Sequence, residues 1–412
     1  MKNKLYILLF LLVPLITSCD LDRIPKGQIS SENFWSTQDD VERALMGCYG
    51  YLDASVYNAY MDGYADNSYC QYPWESNAPL ISAGNINTDM DDGYNYVGIR
   101  RFNYFLNNVD RVEMDDQLKK QYTAEVRVLR AWTYFNLANK FGPVPLFKTS
   151  VIEAEEAMVA PTAENEVIEF AISEIEEALT DLPEEPVKSR LSKAAALAIK
   201  ARIHLNYSQW QDAAQTAKQI MGMGYSLFTA EPTAAEMDAD DYSQFITFAD
   251  EEDKYEFYKG LKSYEQQFWE GNKENSEVIL NSEFISDSYN YIALYLLSDN
   301  AGGGWSSVTP TLELVKAYPG RDGKPFVGPT DQERANAYNG GEYTDAFLDE
   351  FRNRDTRLYA SILFPGAIWS PLLGDGTFVW KTEGSNMSKT GFNYRKMVDP
   401  VGDIWYKEND FP

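Results

Sequence analysis

The amino-acid sequence predicts a mainly α-helical chain whose first half is built from paired, repeat-like helices and whose second half is rich in loops. Three observations carry this. Between about Ala163 and Leu182, Ile168, Ala171, Ile172, Ile175, Leu179 and Leu182 recur on one helical face, six glutamates fill the rest, and Pro183 stops the run. From Ser192 to Gly222 two further helical runs abut with small residues between them. Residues 301–412 hold 14 of the 26 glycines and 8 of the 18 prolines, which favours turns over continued helix.

In chain order, Lys2 and Lys4 precede an apolar run from Leu5 to Ile16 that ends in Ile16-Thr17-Ser18-Cys19. Twelve residues are too few to span ~30 Å of hydrocarbon. The run therefore reads as a lipoprotein signal peptide over residues 1–18, with cleavage before Cys19 and acylation of that cysteine. The plainer alternative is an ordinary secretory signal in which Cys19 is incidental. No other stretch reaches the ~18 apolar residues of a membrane span. Cys48 and Cys70 remain, and the sequence leaves open whether they pair.

The segment from about Leu118 to Lys140 is apolar nearly all round and is expected to be buried, with Glu125, Arg127 and Arg130 as structural ion pairs. In the run from Ser192 to Met221, with Ser192 and Ser208 as expected caps, Ala201, His204, Trp210, Ala213, Ala217 and Ile220 match the small and aromatic positions of a tetratricopeptide repeat. That places His204 in a core slot between helices. A lone repeat cannot bury its own apolar face, so further helices should pack on it. Asp238 to Asp241 and Asp250 to Asp253 read as solvated loop.

Composition narrows the function. Lys plus Arg total 36 against 63 Asp plus Glu, and a net charge of −27 repels phosphate backbones, so nucleic acid is excluded as a partner. With a single histidine, the chain cannot build His-clustered zinc sites or two-His metalloprotease helices. Asn87, Asp89 and Asp91 alternate as calcium ligands do, yet glycine falls at position 93 and Gly98 replaces the closing glutamate, so no metal is expected. Gly302-Gly303-Gly304 lacks the Lys-Ser/Thr of a phosphate cradle and is expected to be a flexible loop presenting Trp305. Paired carboxylates for glycoside hydrolysis will exist by chance among 63 acids, and no pair is singled out. Aromatic residues make up 14% of the chain, which suits binding more than chemistry.

Several segments together resemble the SusD/RagB family of nutrient-binding outer-membrane lipoproteins. Ser18-Cys19-Asp20, Phe34-Trp35, Asp39-Asp40 and the run from Ala44 to Tyr49 resemble the start of the family's mature chain. The run from Ala124 to Phe135, continuing to Phe141-Gly142-Pro143-Val144-Pro145-Leu146, is the most distinctive segment. Arg190 to Ala195, Asn275 to Ile279, Pro310 with Ala317-Tyr318, Arg354 to Leu358, and Thr390-Gly391-Phe392 with Lys396 follow in the family's order. The resemblance implies a signal peptide over 1–18, a tetratricopeptide-like helical region over 19–230 and a loop-rich ligand-binding region over 231–412. It implies a binding protein, not an enzyme, with no cofactor. The protein would be lipid-anchored at Cys19 on the outer membrane, exposed on the cell surface, where it hands oligosaccharides to a TonB-dependent, SusC-like transporter; peptides are the alternative ligand. The family normally continues with a further helical segment where this chain stops at Pro412, so the resemblance also implies a chain incomplete at its C-terminal end.

Sugars present hydroxyl edges and C–H faces, so a glycan site needs flat rings for the faces and amides or carboxylates for the edges. Trp74, Glu75 and Asn77 offer both in one stretch between Pro73 and Pro79. The expected partners from the later half are Tyr289, Tyr291 and Trp305, with core packing the alternative for the two tyrosines.

Overall fold

The computed structural model describes residues 34–52, 56–87, 90, 93–151, 153–185, 189–272, 274–281, 292–339, 342–369 and 376–399. Cys19 and the signal segment, Tyr289, Tyr291, Asp89 and Asp91 lie outside the described residues. The chain is mainly α. Seven helices of twelve or more residues occur among the described residues: α1 (Gln38–Tyr49), α2 (Val97–Asn108), α3 (Asp116–Phe141), α4 (Glu164–Ala178), α5 (Lys193–Asn206), α6 (Trp210–Met221) and α7 (Glu251–Gln266). None of the helices described is long and apolar enough to cross a membrane.

Helices α1 to α5 surround the first core, and sequence explains both their ends and their packing. Thr37 starts α1 with a capping box, its N–H donating to Asp40 Oδ2 at 2.9 Å, and Asp115 starts α3 by accepting from the Leu118 N–H at 2.8 Å. Helix α3 is buried over most of its circumference, which brings charged groups inside. Each is met. Glu125 accepts from Arg190 at 2.5 and 3.0 Å and from the Tyr49 hydroxyl at 2.6 Å, tying α1 and α3 to the turn before α5. Arg130 joins Glu174 on α4, Asn103 on α2 and the Lys148 carbonyl, while Arg127 also reaches Glu174. Removing one partner of such a buried pair typically costs about 3–5 kcal/mol, because the other charge is left uncompensated.

The α5/α6 hairpin departs from expectation in detail. Ser192 caps α5, accepting from the Ala195 N–H at 3.2 Å, and His204 is buried with Nδ1 2.5 Å from Gln209 Oε1. Ser208 does not cap α6. It takes φ +57°, turning the chain, and Gln209 occupies the cap position without a side-chain bond. Nor do all the repeat-like positions pack: on α6 only Ala213 and Thr216 are buried, and Trp210 is 63% exposed, because α6 is covered by α5 on one side alone among the described residues.

The second core is aromatic. Tyr242, Phe245, Phe257, Tyr258 and Tyr359 interlock, and Phe351 stacks on Phe364 at 4.2 Å and 5°. Helix α7 packs on the short helix Thr356–Ser361, and among the described residues three two-stranded antiparallel ladders stitch the loops: β1 (Ser68–Cys70) with β2 (Val308–Pro310), β3 (Tyr338–Asn339) with β4 (Glu342–Tyr343), and β5 (Ile362–Leu363) with β6 (Asn393–Tyr394). Residues 56–82 come from early in the chain, yet Tyr60, Cys70 and Ala78 pack into this core. Cys48 sits in the first core and Cys70 in the second, and both thiols are free.

The two acidic runs are not simply solvated loop. Asp240 receives the ammonium of the buried Lys262, Asp250 caps α7 by accepting from the Asp253 N–H at 2.9 Å, and Asp253 takes a two-pronged bond from Arg321 at 2.5 and 3.0 Å. Basic partners from distant positions convert runs that look like solvent-facing charge into structural anchors.

Candidate functional site

The first ladder frames the candidate site. Ser68 pairs with Pro310, Tyr69 with Thr309 and Cys70 with Val308. Pairing continues past the strands, since the Gln71 N–H donates to the Ser307 carbonyl at 3.2 Å and Gln71 Nε2 to the Trp305 carbonyl at 2.8 Å. The chain leaving β1 therefore starts out beside the chain entering β2, with Gln71 bonded to both Ser307 and Trp305.

On the first side, a turn closed by the Glu75 N–H on the Tyr72 carbonyl throws Trp74 outward, where it is 77% exposed. Its ring leans on Tyr72, with centroids 4.8 Å apart and 31° between planes, and the Tyr72 hydroxyl donates to Asn386 Oδ1 at 2.9 Å. Glu75 accepts from the Tyr60 hydroxyl at 2.6 Å. Burial, and then the Glu75 carboxylate, push the Tyr60 hydroxyl well above its ordinary range, so it stays a donor. Asn77 opens the short helix Ala78–Ser82, which carries Pro79 in its first turn, and its amide makes no capping bond.

On the second side, Trp305 is 37% exposed and stands edge-on to Tyr295 at 5.3 Å and 83°, and Tyr295 meets Tyr60 at 5.7 Å. The expected flexible loop is a pinned turn instead. The Trp305 N–H donates to the Leu294 carbonyl at 2.6 Å and the Ser306 N–H to the Leu297 carbonyl at 2.7 Å. Gly303 takes φ +76°, and a Cβ on Gly304 would lie 2.2 Å from the Leu297 carbonyl oxygen, so the glycines serve close backbone approach and not mobility.

The structure thus brings Trp74, Glu75, Asn77 and Trp305 onto two adjoining turns, the two tryptophans each supported by a tyrosine. Sequence reasoning missed Tyr72, Tyr60, Tyr295, Gln71 and Asn386. Tyr72-Pro73-Trp74 carried a local signal in its two nearby rings. Asn386 carried none, being 314 residues from the tyrosine it orients and held at φ +57°.

Among the described residues no group of three or more His, Cys, Asp or Glu could hold a metal ion. Among the described residues the buried carboxylates Glu125, Glu174, Glu265 and Glu350 are each joined to an arginine.

The fold is shared with solved structures of SusD-like proteins. One from Bacteroides fragilis superposes with a TM-score of 0.74 at 20% identity, covering 94% of this chain and 74% of that one. A laminarin binding SusD-like protein gives 0.62 at 20% identity, covering 91% and 76%. In sequence, residues 31–205 match the family described as "Starch-binding associating with outer membrane" and residues 248–412 match the SusD family. The chain belongs to the SusD/RagB family. SusD-like protein P38 of Formosa agariphila is 28% identical over 222 residues, 51% of this chain and 43% of that protein. The chain spans about half the length of the curated relatives it matches.

Proposed function

We propose that this protein is a non-catalytic glycan-binding lipoprotein of the outer membrane, anchored through Cys19, that captures oligosaccharides at the cell surface and passes them to a SusC-like, TonB-dependent transporter. The observation that carries the reading is the exposed Trp74 ring, braced by Tyr72, beside the Glu75 carboxylate, the uncommitted Asn77 amide and Trp305. A sugar ring laid on Trp74 would have its C–H face covered and its hydroxyls within reach of carboxylate and amide, with Tyr289 and Tyr291 as the further proposed contacts. The shared fold with a laminarin binding protein supports a glycan ligand, and the family supports the transporter partnership and the membrane anchor.

A glycan array run beside a peptide panel tests the ligand class. Oligosaccharide binding without release of shortened products is expected; exclusive binding to peptides, or product release, would refute the reading. For the anchor, metabolic labelling with palmitate should mark the wild-type chain and not Cys19→Ala, and equal labelling of both would place the anchor elsewhere.

A further inference from the structure

A cavity of about 560 Å³ opens between α1 and α2, and its lining includes none of the residues of the ledge that carries Trp74. That volume lies in the ordinary range for small-molecule sites, ~300–1,000 Å³. Its walls are apolar. Phe34 meets Trp35 edge-on at 5.3 Å, Trp35 meets Phe105 at 5.7 Å, and Ala44 and Val97 complete the lining from the two helices.

The polar groups at its edge are mostly cationic, with the Tyr104 hydroxyl beside them. Val97, Arg100, Arg101 and Tyr104 fall at helical spacing on the exposed face of α2, and Arg43 faces them from α1. Arg43 is paired with Asp40 at 2.8 Å. Arg100 and Arg101 have no carboxylate partner among the described residues, although the chain carries 63 acids. Arg101 instead lies over the Tyr51 ring at 5.7 Å, close enough to α1 that a Cβ on Gly47 would sit 2.7 Å from its Nη1. Trp35 is 5% exposed, and its indole N–H is buried without a hydrogen-bond partner. Guanidinium groups donate and cannot accept, whereas the Tyr104 hydroxyl does both. The cavity therefore suits a ligand with an apolar body and an anionic head, and it suits a sugar poorly, because the Tyr104 hydroxyl is the one side-chain oxygen its lining offers to a sugar's many hydroxyls.

We propose that this cavity binds a fatty-acyl carboxylate, with its chain against Trp35, Phe105, Val97 and Ala44 and its carboxylate on Arg100 and Arg101. The test is calorimetric titration of the full chain with laurate, kept below its micelle concentration, beside methyl laurate and acetate. One laurate per chain is expected, with the ester and acetate at least about tenfold weaker, since a charge-assisted bidentate contact is lost in one and the apolar contact in the other. Arg100→Ala with Arg101→Ala should weaken laurate by a similar factor. Val97→Trp, at an exposed position, should block the cavity without disturbing the fold, and both variants should keep the circular dichroism spectrum and glycan affinity of the wild type. Absence of laurate binding, equal affinity for the ester, or laurate affinity unchanged in both variants would overturn the proposal.

Discussion

Cys48 and Cys70 show how residue-scale physics is set by surroundings that one sequence does not display. Burial pushes each thiol up to about 12, Cys48 against the opposing influence of Arg101 and Cys70 with the help of Glu75 and Asp62. Since the thiolate is the reactive form, neither should be alkylated by iodoacetamide at pH 8 in the native protein, and both should react fully in guanidinium. Peptide mass spectrometry reads the outcome; rapid native labelling of Cys70 would mean that the packing around Tyr60 and Gly63 is open. The sequence left their pairing undecided because nothing local reports that they belong to different cores. Trp74 was legible for the opposite reason. A tryptophan between two prolines at a turn announces exposure from neighbours alone, whereas the hydrogen bond that steadies its partner ring comes from Asn386, over 300 positions away.

Among the elements, the turn Gly302–Ser306 and the capped helix starts carry the clearest consequences. Gly304→Ala would drive a methyl group into the Leu297 and Leu294 carbonyls, the two acceptors that hold the N–H groups of Ser306 and Trp305. Overpacking of this kind costs about 1–3 kcal/mol. A lowered thermal midpoint together with weakened glycan binding is expected, and unchanged values for both would show that the turn has slack. The carboxyls of Asp40, Asp253 and Asp355 are held below the usual range, Asp40 first by the Thr37 hydroxyl, Asp253 first by the Ala249 N–H and then Arg321, and Asp355 first by Arg357. Their folded pKa values lie below the unfolded value of about 3.9, so the stability they add is fully present above that pH and is lost as pH falls through the folded values. Denaturation midpoints should therefore drop as pH falls below about 4, and the triple Asn variant should show a smaller drop; an equal drop would assign the acid sensitivity to other groups. The long amphipathic helices were legible from periodicity and caps. The roles of the acidic runs were not, because Lys262 and Arg321, which make Asp240 and Asp253 structural, lie 22 and 68 residues away.

For the molecule as a whole, two cores divide the work: a helical one organised by buried Glu125 and Arg130, and an aromatic one that holds the loops and the ledge. Glycine and proline density marked the second half as irregular, but could not show that residues 56–82 return to it through the β1/β2 ladder. That ladder joins the stretch leading to Trp74 to the stretch that follows Trp305, and so the proposed site depends on a pairing across more than two hundred residues. The most direct measurement is the affinity of the full chain for an oligosaccharide selected from the array, compared with the Trp74→Ala/Trp305→Ala double variant. Each ring covered by sugar should contribute on the order of 1 kcal/mol from buried apolar area, so the pair should carry roughly a factor of thirty in affinity. Loss of at least that much, with the thermal midpoint and circular dichroism unchanged, is the predicted result. Wild-type affinity in a folded double variant would contradict the assignment of glycan binding to this ledge.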